Sequence, residues 1–149
     1  MPKRVVIDSS VALKWWLDDE EFVDEARFLL NDVVAGEIEL VVPELWFYEI
    51  ANGINTAAKR ERISNDMAED FIEELQSVTA TLVPVSSYLT KTYKESTKYS
   101  HAIYDIVYMV IAESKQIQFI TADKKFCDKV KGEKPFVIHL SNCKKSIKS

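Results

Sequence analysis

Residues 5–11 read Val5-Val6-Ile7-Asp8-Ser9-Ser10-Val11, an apolar run that ends in an acid followed by two hydroxyl residues. A short apolar run of this kind predicts a buried strand, and the serines behind it can cap a helix. A second such stretch, from Ile117 to Thr121, is followed after one residue by Asp123. Asp8 and Asp123 are therefore predicted at the carboxyl ends of two strands.

Strand-like runs and helical periodicity alternate along the rest of the chain. The other predicted strands are Ile38 to Val42, Thr81 to Val85 and Phe136 to Leu140, and the predicted helices are Ser9 to Leu17, Glu20 to Ala35, Glu44 to Lys59, Asn65 to Gln76, Ser86 to Ser96, Ala102 to Lys115 and Lys124 to Val130. Strands separated by one or two helices require crossover connections, which give parallel strands with helices on both faces. The expected fold is a three-layer α/β sandwich with a mainly parallel central sheet of about four or five strands. Ligands of such folds bind at the carboxyl ends of the strands.

Size and composition indicate a single soluble domain. We expect it to cover residues 1–141, with a basic, disordered tail over 142–149. The hydrophobic fraction of 47% is that of an ordinary globular protein, and no apolar run approaches the roughly 20 residues that span a bilayer. The start of the chain lacks a signal-peptide core, and Cys127 and Cys143 show no metal-binding spacing. These features predict a reduced, cytoplasmic protein without a membrane partner.

The formal net charge of −5 weighs mildly against a nucleic-acid partner, because phosphates are bound mainly by Lys and Arg. A metal site, however, concentrates carboxylates, and a bound cation reverses the local field. Local basic clusters then matter more than the total, and they occur at 59–62, 124–125 and 144–145. Each cluster taken alone is also explained by solvated helix ends and a frayed terminus.

A third acid, Glu49, lies on a predicted helix. Asn52 and Thr56 follow it at helical spacing, so the three form one polar stripe, with Ile50 and Ile54 on the opposite, apolar face. Periodicity alone favours a plain stripe that faces solvent.

A fourth acid, Asp105, interrupts the most apolar helix of the chain, from Ala102 to Lys115, where few positions could form a polar face. His101 precedes it by one helical turn. The pair has two interpretations: a salt bridge at the start of a helix, or a histidine that acts as metal ligand or proton carrier. An acid in this helix is expected to be paired or functional.

Taken singly, each acid has a structural explanation, since Asp8 and Asp123 can also cap helices. If the fold brings the four together, each close pair repels by roughly 4 kcal/mol at about 4 Å and an effective dielectric of about 20. Protonation or a cation would relieve that repulsion. Jointly, two strand-end acids and two acids on apolar helices favour a metal site.

The surroundings of these acids resemble the four motifs of PIN domains. The matching stretches are Val6-Ile7-Asp8-Ser9-Ser10-Val11, Glu49-Ile50-Ala51-Asn52, Tyr104-Asp105-Ile106-Val107-Tyr108 with Ala112-Glu113, and Ile120-Thr121-Ala122-Asp123-Lys124-Lys125-Phe126. The likeness runs from near residue 5 to near residue 140, in order and spacing, and is greatest to the VapC-type toxin ribonucleases of prokaryotic toxin–antitoxin systems.

The resemblance implies a metal-dependent endoribonuclease that leaves a 5′-phosphate and a 3′-hydroxyl. It implies that Asp8, Glu49, Asp105 and Asp123 hold one or two Mg²⁺ or Mn²⁺ ions, since hard cations prefer all-oxygen ligands. By the same resemblance Ser9, Asn52 and Thr121 are supporting polar residues, with a weaker assignment.

The resemblance also implies partners: an RNA substrate, a cognate antitoxin and a second copy of the chain in a homodimer. The positive surface for RNA has to come from scattered groups, of which we single out Lys14, Arg60, Arg62, Lys124 and Lys125. The aromatic residues of Trp15-Trp16 and Trp46-Phe47-Tyr48 could form an interface or could simply pack in the core.

Two other functions compete with the nuclease. One is a non-catalytic PIN-like module that binds RNA or protein, although a degenerate member would be expected to have lost acids. The other is a phosphoacceptor or phosphatase domain with a reactive strand-end aspartate. Against it, Asp8-Ser9-Ser10-Val11 lacks the second aspartate that such phosphatases place two positions on.

Overall fold

The computed structural model of the protein describes residues 1–148. Five parallel strands form one sheet in the order β3-β2-β1-β4-β5. Their bounds are β1 Lys3–Ile7, β2 Ile38–Pro43, β3 Thr81–Val83, β4 Gln118–Thr121 and β5 Val137–His139. The predicted parallel sheet is confirmed, and β3 lies at an edge, where the proline that follows it costs no hydrogen bond within the sheet.

Helices connect every pair of consecutive strands. They are α1 Ser9–Ala12, α2 Val23–Val34, α3 Leu45–Lys59, α4 Asn65–Gln76, α5 Leu89–Tyr99, α6 Ile103–Lys115, α7 Lys124–Val130 and α8 Cys143–Lys148. Short 3-10 turns follow α1 and precede α5 and α8. The predicted helix from Ser9 to Leu17 is therefore shorter than expected. Gly36, with φ +77°, ends α2 as the sequence predicted, because a left-handed residue closes a helix most readily when it is glycine.

The core is formed where helices cover both faces of the sheet. Consecutive residues of β1, β2 and β4 are buried, for example Val5, Val6 and Ile7 at 0% exposure. A strand with only one covered face would instead alternate between buried and exposed residues. The three-layer α/β sandwich predicted from the sequence is thus confirmed. It also means that side chains can reach solvent from these strands only at their ends.

The end of the chain differs from the expected disordered tail over 142–149. Residues 143–148 form α8, and Cys143 is fully buried, with its thiol 3.8 Å from the carbonyl oxygen of Glu25 on α2. The lysine-rich composition predicted disorder, but buried Cys143, partly buried Ile147 and the hydrogen bonds from Lys3 Nζ to the carbonyl oxygens of Ser146 and Ile147 hold the helix against the domain. Ser149 lies outside the described residues.

The aromatic cluster divides between core and surface. Trp15 and Trp46 are buried, with ring centroids 6.3 Å apart, so core packing accounts for both. Tyr48 is 81% exposed. Cys127 and Cys143 are both free thiols, and no helix within residues 1–148 is both long and apolar enough to cross a membrane.

Candidate metal centre

The carboxyl ends of β1 and β4 are joined by hydrogen bonds that converge on Asp8. The hydroxyl of Ser10 donates to Asp8 Oδ1 and that of Thr121 donates to Asp8 Oδ2, each over 2.5 Å. The backbone N–H of Val11 also donates to Asp8 Oδ1, which makes Asp8 the N-cap of α1. Both carboxylate oxygens of Asp8 are therefore held in place.

The same hydroxyls fix the segment that carries Asp123. Thr121 Oγ1 accepts from the N–H of Asp123 over 3.2 Å, and Ser10 Oγ accepts from the N–H of Ala122 over 3.2 Å. Asp123 itself is exposed and caps α7 by accepting from the N–H of Phe126 over 3.0 Å. The two predicted strand-end acids thus lie on neighbouring strands and share hydrogen-bonding partners.

Glu49 approaches this edge from α3. The hydroxyl of Tyr108 on α6 donates to Glu49 Oε1, which holds a half-buried carboxylate in place. One turn later, Gly53 allows a close approach to the neighbouring 3-10 turn, because a Cβ there would lie 2.6 Å from Leu13 Cδ1. Glu49 is therefore not on a plain solvent-facing stripe, whereas Asn52 on the same side is exposed.

Asp105 lies in the first turn of α6, and its position differs from the sequence expectation. The side chain of Asp105 is 56% exposed, and its neighbours Ile103 and Tyr104 are exposed as well. This turn extends beyond the part of the helix that is packed in the core. His101 Nε2 lies 3.2 Å from Asp105 Oδ2. Lys129 Nζ lies 3.5 Å from His101 Nδ1, so the imidazole of His101 stands between a lysine and an aspartate.

The carboxylates interact electrostatically. Burial raises the pKa of Asp8 to about 6, against the lowering effect of its hydrogen bonds, and the charge of Asp105 adds to the rise. Burial likewise raises the pKa of Glu49, opposed by the Tyr108 hydroxyl and reinforced by Asp105 and Asp8. Burial, followed by the charges of Asp123 and Asp8, raises the pKa of the Cys127 thiol to about 11. The charges of all four acids therefore contribute to pKa shifts in one region of the molecule.

Two residues of this region, Ser10 and Tyr108, were not among the predicted site residues, and two of the predicted supporting residues form no side-chain hydrogen bond to the acids in the described part of the chain. Ser10 contacts Asp8, whereas within residues 1–148 neither Ser9 nor Asn52 forms a side-chain hydrogen bond to any of the four acids. Tyr108 belongs to an apolar helix and to a matched motif of the sequence, but no role at the site was predicted for it. Its spacing of three residues from Asp105 puts both side chains on one helix face, and that signal could have identified it.

The oxygen atoms of these residues suit a hard divalent cation, but the side chains are not already arranged to coordinate one. Carboxylate and hydroxyl oxygens are the ligands that Mg²⁺ and Mn²⁺ prefer. In the described part of the chain, none of the Asp8, Glu49 and Asp123 carboxylates forms an ion pair. Over the same residues, no three His, Cys, Asp or Glu side chains stand as a metal-binding group.

Two of the five expected RNA-binding cations are already engaged by carboxylates. Lys14 is buried and lies 3.2 Å from Glu20 Oε1. Arg62 binds Asp19 through two nitrogens, at 2.5 and 3.1 Å. The expectation that these two residues form a free positive surface is wrong, because both stabilise the loop before α2.

Comparisons with known proteins match most of the chain. The family model described as PIN domain matches residues 5–132. "VapC ribonuclease Mb0985" of Mycobacterium bovis is 28% identical over 134 residues, which cover 90% of this chain and 97% of the relative. "Ribonuclease VapC3" of Pyrobaculum aerophilum is 26% identical over 129 residues, covering 85% and 94%. The crystal structure of PAE2754 from Pyrobaculum aerophilum superposes with a TM-score of 0.70 at 19% identity, covering 99% of this chain and 98% of that one.

Proposed function

We propose, from the fact that this chain belongs to the PIN domain family, that it is a divalent-metal-dependent endoribonuclease and the toxin of a toxin–antitoxin pair. The observation that carries the proposal is that hydroxyl and backbone donors hold Asp8 and Glu49 at one edge of the sheet, where neither carboxylate forms an ion pair with any residue from 1 to 148. The relatives named as ribonucleases, which align over nearly their whole lengths, support the reaction class. A non-catalytic PIN-like module is not favoured, because all four predicted acids are present.

In this proposal Asp8, Glu49, Asp105 and Asp123 hold Mg²⁺ or Mn²⁺. When bound, the divalent ion supplies the Lewis acidity that activates water and neutralises charge on the phosphodiester. Hydrolysis at such a site would join the oxygen of water to phosphorus, break the bond from phosphorus to the 3′ oxygen and pass a water proton to that oxygen, which would leave a 5′-phosphate and a 3′-hydroxyl.

The chain's own residues prepare this site before substrate arrives. Ser10 and Thr121 orient both oxygens of Asp8, and Tyr108 orients Glu49. Because the pKa of Asp8 is about 6, this carboxylate is mostly ionised at neutral pH and available as a ligand. Thr121 is buried, which excludes water from the hydrogen bonds behind the acids.

The proposed partners are RNA, a cognate antitoxin protein and a second copy of the chain, in the cytoplasm. An apolar groove of about 390 Å³ beside the acids supports the homodimer. Its lining includes Leu89 and Tyr104, which are 61% and 67% exposed, and no charged residue. An apolar face of this kind can bury itself against its two-fold-related copy. Sedimentation equilibrium tests this: twice the 17.1 kDa chain mass is expected, and a single chain mass at high concentration contradicts it.

The enzymatic proposal is tested by incubating the purified chain with a broad RNA pool in Mg²⁺, in Mn²⁺ and in a chelator. We expect metal-dependent cleavage, and a loss of at least about a hundredfold in Asp8→Asn and Asp105→Asn with the fold retained. Asp70→Asn, which changes an exposed acid on α4, is the matched control. Absence of cleavage in every metal, together with unchanged toxicity of the two site variants in cells, would contradict the proposal.

A further inference from the structure

A second concave surface lies at the same edge of the sheet, on the far side of Asp123. It is a cavity of about 650 Å³, bounded by α7, the end of β5 and α8. We call it the basic pocket, and its lining includes Lys124, Lys131, Lys145, Phe22, Val137 and His139. This volume is within the range of about 300–1,000 Å³ that is typical of ligand sites.

The basic pocket is physically continuous with the candidate metal centre. His139 Nε2 lies 3.3 Å from the carbonyl oxygen of Ala122, the residue between Thr121 and Asp123. His139 Nδ1 accepts from the backbone N–H of Ser141 over 3.2 Å, so Nε2 is the nitrogen that donates to Ala122. One wall of the pocket is thereby hydrogen-bonded to the segment that carries a predicted metal ligand.

Its charge is opposite to that of the rest of the molecule. Three lysines and one acid, Asp128, line it in a chain whose net charge is −5. Lys124 and Lys145 form no ion pair with any residue from 1 to 148, and Lys131 lies 4.0 Å from Asp128 in an exposed pair. Such a pair contributes about 0–1 kcal/mol, which leaves Lys131 able to bind another anion.

The floor of the pocket is apolar. Val137 is buried, and the ring of Phe22 packs edge-on against His139 with centroids 5.2 Å apart. Lysines around an apolar floor suit a nucleotide, whose phosphate is anionic and whose base has an apolar face.

We propose that the basic pocket binds the backbone phosphate of an RNA nucleotide next to the scissile bond, through Lys131 and Lys145, with Lys124 closest to the cut. This inference rests on the proposed ribonuclease function and deepens it. It assigns the RNA path to the α7–α8 side of the acids. It also explains how a protein of net negative charge can bind RNA, because the lysines are concentrated where the RNA strand leaves the candidate metal centre.

The test is RNA binding rather than cleavage, which separates it from the proposed function. Fluorescence anisotropy with a labelled single-stranded RNA is measured across a range of NaCl in an Asp105→Asn background, in which the RNA stays intact. Each lysine–phosphate contact contributes about 0.7 to the slope of log affinity against log salt. We expect Lys131→Gln and Lys145→Gln each to lower the slope by about that amount, which is roughly an eightfold loss of affinity at about 50 mM salt.

Two controls accompany these variants. Lys115→Gln removes the same charge at the opposite end of α6, where no change of slope is expected. Lys131→Arg keeps the charge and should keep the slope. All three positions are at least partly exposed, so the substitutions leave the fold intact.

Unchanged slopes in Lys131→Gln and Lys145→Gln, while the parent chain binds and cleaves RNA, overturn the basic pocket and leave the ribonuclease in place. An equal decrease in Lys115→Gln also overturns it, because the effect would then reflect net charge alone. Calorimetry with inorganic phosphate tests whether the pocket binds a free phosphate instead of RNA. The RNA assignment is overturned if phosphate binds tightly, Lys131→Gln abolishes that binding, and RNA binding is unchanged in the same variant.

Discussion

Two acidic clusters of this molecule differ in whether a lysine pairs with their carboxylates. On the outer side of α5 and α6, Glu95 and Glu113 share Lys134, whose Nζ lies 3.4 Å from Glu95 Oε1 and 2.7 Å from Glu113 Oε2. Burial alone would lower the pKa of Lys134, but the two carboxylates raise it. At the carboxyl edge of the sheet, Asp8 and Glu49 have hydroxyl and backbone donors only, and their pKa values are raised.

The difference shows that this chain can neutralise buried acids where stability alone is at stake. Lys134 pairs with both Glu95 and Glu113, and the more exposed Lys91 also lies 3.4 Å from Glu95 Oε1, which offsets the cost of burying Glu95. Leaving Asp8 and Glu49 without such a cation costs stability, and the cost has a purpose if a metal ion offsets it. We therefore interpret the first cluster as structural and the second as functional.

The largest expected effect is on the structural cluster. Lys134→Met removes the buried cation that Glu95 and Glu113 share and leaves the nearly buried Glu95 with only the 56%-exposed Lys91, so the unfolding free energy should fall by about 3 kcal/mol. Urea denaturation measures the loss. Lys131→Met is the matched control, since that side chain is 75% exposed and should lose about 0.5 kcal/mol or less. Equal losses in the two variants would remove the contrast between the clusters.

The next effect is the pH dependence of the functional cluster. Because the pKa of Asp8 is raised to about 6 in the folded state, the folded chain binds a proton that the unfolded chain has released between about pH 4 and 6. Stability therefore falls as pH rises through this window, by up to about 3 kcal/mol.

Urea denaturation of the parent and of Asp8→Asn in a chelator measures this contribution. The stability of Asp8→Asn relative to the parent should increase from about pH 4 to about pH 7, because the variant lacks the titrating group. Asp70→Asn should show no such trend, and a trend of the opposite sign in Asp8→Asn would contradict the assignment.

The smallest effect concerns the hydroxyl that orients Glu49. Tyr108→Phe removes a donor to this carboxylate, so the pKa of Glu49 should rise further and the unfolding free energy should fall by about 1 kcal/mol. NMR titration of the carboxyl carbon follows the pKa. Tyr104→Phe on the same helix, where the side chain is 67% exposed, should change neither quantity.

The sequence could predict the features that depend on interactions between residues close together in the chain. The apolar strand runs and the helical spacing were sufficient to predict the parallel sheet. Together with the rule that ligands bind at the carboxyl ends of parallel strands, they were also sufficient to predict the positions of Asp8 and Asp123. The exposure of Asp105 was not predictable from its apolar neighbours, because it depends on how far α6 projects past the packed part of the sandwich. The α8 helix likewise depends on a tertiary contact of Cys143. The metal-binding roles of the four acids stay predictions.

Calorimetric titration of Mn²⁺ into the full chain at neutral pH tests the central claim most directly, since it requires neither RNA nor turnover. The account predicts saturable binding in the parent chain, loss of at least about tenfold in affinity in Asp8→Asn and Asp105→Asn, and unchanged binding in Glu113→Gln of the lysine-paired cluster. Absence of Mn²⁺ binding at millimolar concentrations, or equal binding in Asp8→Asn and the parent, would contradict it.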